Sequence, residues 1–342
     1  MRTEGGGTTA RASIIVPARN EAESVSQCLD ALISQTSDEI AEILVIDGMS
    51  DDGTREIVAE YAARDPRIRL LDNPKKVVTT AVNVGFRAAS SDVILRIDAH
   101  ADYAPDYVEK CLEVLGETGA GNVGGAARPA SDGSYVGDAI KAIHESPFGI
   151  GAASFRRADA EGPADTVWPG AWRREALEQA GMYCREDLPR SEDIELNSRI
   201  REAGWEIYIS PKIKAEYHPR RTIPGLLQQN FDNGSGVIHT VRAGLGGVSI
   251  RHLVPVGFVV TLATLAIAGA FWPPGLVLLA GVAGLYSIAA IVFAARVALR
   301  IRPSTALILP ACFLLLHVSY GLGSLWGMLS RPSGPSADSD AA

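Results

Sequence analysis

Glu42-Ile43-Leu44-Val45-Ile46-Asp47-Gly48-Met49-Ser50-Asp51-Asp52-Gly53-Thr54 is the stretch whose reading decides the fold. A short, continuous apolar run ends in a polar turn, and Thr54 then opens a helical pattern with Ile57, Val58, Tyr61 and Ala62 inward. A strand that is apolar at every position, not every second one, is covered on both faces, as in a parallel sheet under helices. The alternation recurs on either side. Ser13-Ile14-Ile15-Val16-Pro17 is a second such run. Asn20 and Glu23 after it form a capping-box-like start to a helix reaching Gln35, with Val25, Cys28, Leu29, Leu32 and Ile33 at helical spacing. A strand at 68–71, a helix around Val78, Val82 and Phe86, and a strand at 93–97 continue the series. The expected fold class is α/β with a mostly parallel sheet.

In such sheets ligands bind beyond the carboxyl ends of the strands, near a switch in strand order. Residues 17–21, 47–54 and 98–102 all fall at strand carboxyl ends, so three polar clusters far apart in sequence are expected in one crevice. A nucleotide is the natural ligand, with Asp47 accepting from base or ribose. In Arg96-Ile97-Asp98-Ala99-His100-Ala101-Asp102 a carboxylate, an imidazole and a second carboxylate alternate, a seat for a divalent cation carrying a phosphate.

The 342 residues are 47% hydrophobic, enough core for one large domain or two ordinary ones. With 32 Lys and Arg against 40 Asp and Glu, the net charge of -8 argues against a nucleic-acid binder that works by neutralising phosphates. The apolar residues crowd the C-terminal third. Uncharged runs at 253–272, 275–295 and 305–329 each reach about 20 residues, the length that crosses a bilayer as a helix. Pro273-Pro274 separates the first two, whereas Arg296, Arg300 and Arg302 separate the second from the third. By the positive-inside rule the Arg-rich loop faces the cytoplasm, and with it the first 250 or so residues. No signal peptide is read ahead of the first strand: residues 1–11 are polar and the apolar run after them is short. Cys28, Cys111, Cys184 and Cys312 lack metal-type spacing and are expected as reduced, mostly buried residues.

Between 116 and 168 the pattern loosens, with a helix expected near 136–144 and with Arg128, Arg156 and Arg157 either meeting phosphates or lying solvated. A strand-to-helix turn follows at 169–177. Ser191 is then expected to cap a helix bearing Glu192 and Asp193, whose acids either complement the helix dipole or supply a general base. Trp205-Glu206-Ile207-Tyr208-Ile209 reads as a strand, and a further strand precedes His218, which is either a metal ligand or a hydrogen-bonded surface imidazole. A helix at 226–242 is expected against the membrane.

Val16-Pro17-Ala18-Arg19-Asn20-Glu21 followed by residues 45–54 resembles the opening of the family 2 glycosyltransferases with the GT-A fold. Asp98-Ala99-His100 stands where that family carries Asp-x-Asp, Ser191-Glu192-Asp193 matches its Glu-Asp motif, and His218 falls where some members place a metal-binding His. The likeness is strongest to the membrane-attached, succinoglycan-biosynthesis type of exopolysaccharide enzyme. It rests there on residues 96–101, on Ser146-Pro147-Phe148-Gly149-Ile150-Gly151 and on the C-terminal spans.

The resemblance implies a GT-A domain at 12–221 with a mixed, mostly parallel sheet. Around it come a disordered tail at 1–11, an interfacial helical linker at 222–252, three transmembrane helices at 253–329 and a disordered tail at 330–342. It implies a multi-pass protein of the inner (plasma) membrane that moves a sugar, with inversion, from a nucleotide-diphosphate donor such as a UDP-sugar. The acceptor is expected to be a saccharide, lipid-linked because the domain is tied to the membrane, and nucleic acid is not a partner. Pro17, Ala18, Asn20, Glu21, Asp47, Ser50, Asp51 and Asp98 are the implied donor contacts. Asp193 is the implied base with Glu192 beside it, and Asp98, His100 and His218 are the implied ligands of Mn2+ or Mg2+.

Three features depart from the family pattern. Gly48 replaces the usual second Asp of the first cluster, and His100 replaces the last carboxylate of Asp-x-Asp. There is no Gln-x-x-Arg-Trp, the corresponding region reading Gln228-Gln229-Asn230-Phe231-Asp232, so single addition is expected in place of processive synthesis. The first two departures also suit a membrane-anchored, nucleotide-sugar-binding subunit with an inactive domain. A nucleotidyltransferase is a further rival.

Overall fold

The computed structural model describes residues 11–150, 159–186, 192–242, 244 and 252–330, so the expectations for both terminal tails, the helix cap at Ser191 and Arg156 and Arg157 lie outside the described residues. The chain begins β1 (Ala12–Ala18), α1 (Val25–Ile33), β2 (Ile40–Asp47), α2 (Thr54–Arg64), β3 (Ile68–Asp72), α3 (Val78–Ala88) and β4 (Val93–Arg96). Then come β5 (Ala101–Tyr103), α4 (Tyr107–Thr118), β6 (Asn122–Pro129), α5 (Tyr135–Glu145), β7 (Gly162–Pro163), β8 (Ala171–Arg173), α6 (Arg174–Gln179), α7 (Glu192–Glu202) and β9 (Ile207–Tyr217).

Among the described residues nine strands join one sheet in the order β3-β2-β1-β4-β8-β6-β9-β5, with β7 added on β9. The β1, β2, β3 and β4 pairings and β6–β9 are parallel, while β8, β5 and β7 pair antiparallel. The sheet is therefore mixed. After β3 the chain returns to lay β4 on the other side of β1, so the strand order reverses at β1 and opens a crevice at its carboxyl end.

Alternate residues of each buried strand feed two cores. Ile14, Val16, Ile43 and Val45 pack with α1 and α4, while Ile15, Leu44 and Ile46 pack with Phe86 of α3, Leu177 of α6 and Ile200 of α7. This two-sided burial is why the strands read as unbroken apolar runs.

Two local expectations are corrected. The first helix starts at Val25 and not at Asn20, because Asn20 sits at φ 54° in a turn and has no capping role. The two strands expected between Trp205 and His218 are one, β9, which runs through Pro211 where its register against β6 slips between Gly124 and Ala126.

After β9 come α8 (Ile223–Arg242), α9 (Val254–Phe271), α10 (Pro273–Ile301), a 3-10 turn (Pro303–Leu307) and α11 (Leu309–Leu329). Three of these, α9, α10 and α11, are long and apolar enough to cross a membrane. Large apolar side chains such as Phe271 (87% exposed), Val277 (72%) and Leu285 (71%) point away from protein, the arrangement a lipid solvent demands. A third core joins these helices to the domain that carries the sheet. Ile140 and Ile143 of α5 and Leu226 of α8 pack with Ala290 and Ala294 of α10 and with Phe313 and Leu316 of α11. Phe148, just after α5, stacks on Phe293 at 5.2 Å and meets Phe313 edge-on at 5.4 Å. All four cysteines are free and buried.

Candidate active site

The carboxyl ends of β1, β2 and β4 lie side by side, and their loops are knitted together. Asn20 N donates to Ser50 Oγ (2.9 Å), Asp51 N to Asn20 Oδ1 (3.2 Å), Glu21 N to Thr54 Oγ1 (2.8 Å) and Ala22 N to Asp52 Oδ2 (3.0 Å). Asn20, Ser50 and Asp51 therefore build the wall by bonding to each other. Gly48 N donates to Ala18 O (2.8 Å), and the Arg19 side chain covers Gly48 where a second Asp was the family expectation.

Asp47, the last residue of β2, is fully buried. It accepts from Ser50 Oγ (2.5 Å), Ser50 N (3.1 Å) and Arg55 Nη1 (2.6 Å), and Arg55 also reaches Asp72 (2.7 Å). Opposite charges and several donors keep this carboxylate satisfied away from water.

Beyond β4, Asp98 is 7% exposed, and its backbone N–H donates to Tyr103 Oη (2.9 Å). Its carboxylate is held by Arg96, Nε to Oδ1 at 2.7 Å and Nη2 to Oδ2 at 3.4 Å. Arg96 Nη1 donates to Glu192 Oε1 (2.9 Å) at the start of α7. Burial alone would lower the proton affinity of Arg96, but the Asp98 and Glu192 carboxylates raise it, so the guanidinium stays charged.

Asp193 follows Glu192 and lines a small cavity with Arg96, Trp168, Gly170, Trp172 and Leu196. Burial, with the Glu192 charge second, pushes its carboxyl up to about 6, against partial opposition from the Ile194 N–H and Arg96. A carboxylate that titrates near pH 6 is largely ionised at neutral pH yet more basic than an ordinary one, which suits it to accept a proton. Glu192 is committed to Arg96, whereas among the described residues Asp193 makes no ion pair.

His100 Nδ1 lies 2.8 Å from Glu21 Oε1, and its ring is half-exposed. Burial would lower its pKa, but the Glu21 bond and the Asp98 charge raise it overall. His218 Nε2 lies 2.8 Å from Asp102 Oδ2, whose Oδ1 accepts from Gln27. Carboxylates and imidazoles are the right donor types for a divalent cation. Asp98, His100 and His218 nevertheless each engage a different partner, and among the described residues no three His, Cys, Asp or Glu side chains converge as a metal-holding group.

The profile of Glycosyl transferase family 2 matches residues 13–179. The chain is 32% identical to succinoglycan biosynthesis protein ExoA of Rhizobium meliloti (strain 1021), over 75% of this chain and 79% of that protein. This chain belongs to glycosyl transferase family 2. A 25% identical relative in Methanococcus voltae, covered over 95% of its length, is a dolichyl N-acetyl-alpha-D-glucosaminyl phosphate 3-beta-D-2,3-diacetamido-2,3-dideoxy-beta-D-glucuronosyltransferase. The fold is that of a mannosyltransferase from Pyrobaculum calidifontis solved with GDP-Man and Mn2+, with a TM-score of 0.61 and 22% identity over 93% of this chain and 87% of that one. As a glycosyltransferase, the chain carries the GT-A-like mixed sheet that its sequence led one to expect.

Sequence reasoning missed Arg96 as a site residue, together with Tyr103, Trp168 and Trp172. One signal was available for Arg96. An arginine closing an otherwise apolar, two-sided strand must find acceptors inside the protein, because Arg is almost never fully buried unpaired.

Proposed function

We propose that this glycosyltransferase is an inverting, metal-dependent and non-processive enzyme. It transfers one sugar from a nucleoside-diphosphate donor, a UDP-sugar, to a lipid-linked saccharide in exopolysaccharide or cell-envelope glycan synthesis. The observation that carries the reading is Asp193, a carboxylate of raised proton affinity on a cavity wall, beside Arg96 and the Asp98 that it holds.

The acceptor hydroxyl attacks the anomeric carbon, Asp193 takes its proton, and the bond to the diphosphate oxygen breaks from the opposite face. The nucleoside diphosphate leaves with the bonding electrons. Asp98 faces the nucleoside, Asp47 braces the donor site from beneath through Ser50 and Arg55, and the wall of Pro17, Ala18, Asn20, Glu21, Ser50 and Asp51 shapes it. Asp98, His100 and His218 would hold a divalent cation, which supplies neutralisation of charge on the departing diphosphate. The domain at 12–221 and the helical linker at 222–252 lie on the cytoplasmic side, with α9, α10 and α11 crossing the inner membrane. A saccharide carried on a membrane lipid then meets the crevice without leaving the bilayer surface. The Methanococcus relative, named for a dolichyl-phosphate sugar, supports this choice of acceptor.

The test incubates membranes containing the full-length chain with a panel of nucleotide sugars and lipid-linked saccharides, with mass spectrometry and anomeric analysis of the product. One added sugar of inverted configuration and one nucleoside diphosphate released are expected. Nucleotide-sugar binding without transfer or hydrolysis would favour a binding subunit, and pyrophosphate release a nucleotidyltransferase. His100→Asp should keep activity and shift the Mn2+-to-Mg2+ rate ratio toward Mg2+ by about threefold or more, since a carboxylate suits the harder ion. An unchanged ratio removes His100 from the metal site.

A further inference from the structure

Desolvating a guanidinium is strongly unfavourable unless its donors are met with good geometry. Arg96 is 8% exposed and sits at the end of β4 beside the crevice, so its placement needs a reason. Its donors divide between two elements. Nε and Nη2 grip both oxygens of Asp98, while Nη1 reaches Glu192 on α7, the residue covalently joined to Asp193. The Arg96 N–H also donates to Gly170 O (3.0 Å), which fixes the strand against the segment between Trp168 and Trp172 that walls the cavity.

We propose that Arg96 is a positioning residue for sugar transfer: its planar fork holds the donor-side carboxylate Asp98 and the base-bearing turn Glu192-Asp193 in one register across the cavity. The proposal rests on the roles given above to Asp98 and Asp193. A guanidinium suits this task because its donors are fixed in one plane and bond two carboxylates at set angles, whereas an ammonium is a point charge on a flexible stem. It also partly neutralises a cluster of three carboxylates, Asp98, Glu192 and Asp193. The groups around Asp193 among the described residues are Glu192 and Glu195 on α7, Arg199 ion-paired to Glu195, Arg96 and Asp98 on the β4 side, and the Cys184 thiol, which burial keeps protonated. Arg96 is the cation of this set bonded to Glu192 itself.

A purely structural ion pair and a positioning residue differ in what they change. The experiment uses the full-length chain in detergent or native membranes, wild type beside Arg96→Lys and Arg96→Met. Melting temperature, kcat, donor KM and the pH dependence of kcat/KM are measured. Arg96→Lys, which keeps the charge and loses the fork, should fold and lose about tenfold or more in kcat with donor KM within about threefold. Arg96→Met should also move the acid limb of kcat/KM upward by about one pH unit, because the positive charge that favours ionised Asp193 is gone. Arg96→Lys with kcat within about threefold of wild type overturns the proposal, whether or not Arg96→Met folds. A folded Arg96→Met with an unmoved acid limb overturns it as well. Wild-type turnover measured in the same preparation separates the cases: transfer that ignores Arg96 refutes positioning alone, and no transfer by any donor refutes the functional reading with it.

Discussion

Asp193→Asn is expected to lower transfer about 10³-fold near neutral pH, within the range that a lost general base costs, with donor binding unchanged. The same substitution should not destabilise the fold. Asp193 holds its proton up to about 6 in the folded chain against an ordinary value of 3.8, so the folded state binds more protons than the unfolded chain between those values. Stability contributed by this group therefore falls as pH rises through that window and stays low above it. Asn removes the penalty, giving a gain on the order of 1 kcal/mol near neutral pH, after discount for partial solvent access, that vanishes below about pH 4. In the wild type the same group sets the acid limb of kcat/KM. Activity should fall about tenfold per unit below about pH 6 as the base becomes protonated. Thermal unfolding and transfer rates across pH check both halves. Full turnover in Asp193→Asn with normal donor binding would sink the assignment.

How far the sequence reaches shows in which of these residues it exposes. Asp47 and Asp98 are visible because each follows a strongly apolar strand and a parallel sheet brings strand ends together whatever the intervening chain does. The base role of Asp193, by contrast, comes only from the family resemblance, its spacing suiting a helix-dipole acid equally well. Asn20 misleads for the opposite reason. Its local signal is that of a helix cap, yet bonds to Ser50 and Asp51, thirty or so residues away, hold it at positive φ. Tertiary partners outweigh a capping preference that amounts to about 1 kcal/mol.

The loosened stretch after Gly116 hides β6 for a packing reason. Gly125 lies in it because β9 approaches so closely that a Cβ there would stand 1.9 Å from Ile213 O, and Gly124 because a Cβ there would stand 2.7 Å from Pro169 O. Such a strand carries no hydrophobic alternation to read. Pro211 divides β9 in sequence but falls in the register slip, where the missing N–H costs no ladder bond. Arg96 was legible as a residue and illegible as a link, since nothing in the spacing says that α7 returns to β4.

Gly323→Val is expected to destabilise the full-length protein by roughly 2–3 kcal/mol or more, the scale of overpacking against atoms that cannot move aside. A Cβ at Gly323 of α11 would lie 1.9 Å from Phe231 O of α8, and one at Gly234 of α8 would lie 2.2 Å from Tyr320 O. Both obstacles are backbone, so no rotamer change relieves them. Small residues at both faces let the two helices touch main chain to main chain. Ser319 Oγ adds a bond to Leu227 O at 2.7 Å. Gly281→Val on α10 is the control, because nothing lies within 4 Å of a Cβ there, and its melting temperature should match wild type.

The damage should also reach the cavity. α8 leaves β9 directly, Gln229 Nε2 donates to Tyr217 Oη at 3.2 Å, and Tyr217 meets Trp168 of the cavity wall edge-on at 5.4 Å. A displaced α8 therefore shifts the aromatic wall opposite Asp193, and kcat/KM should fall along with stability. A Gly323→Val protein with wild-type melting and turnover would mean that α8 is tied to α11 far more loosely than these contacts require.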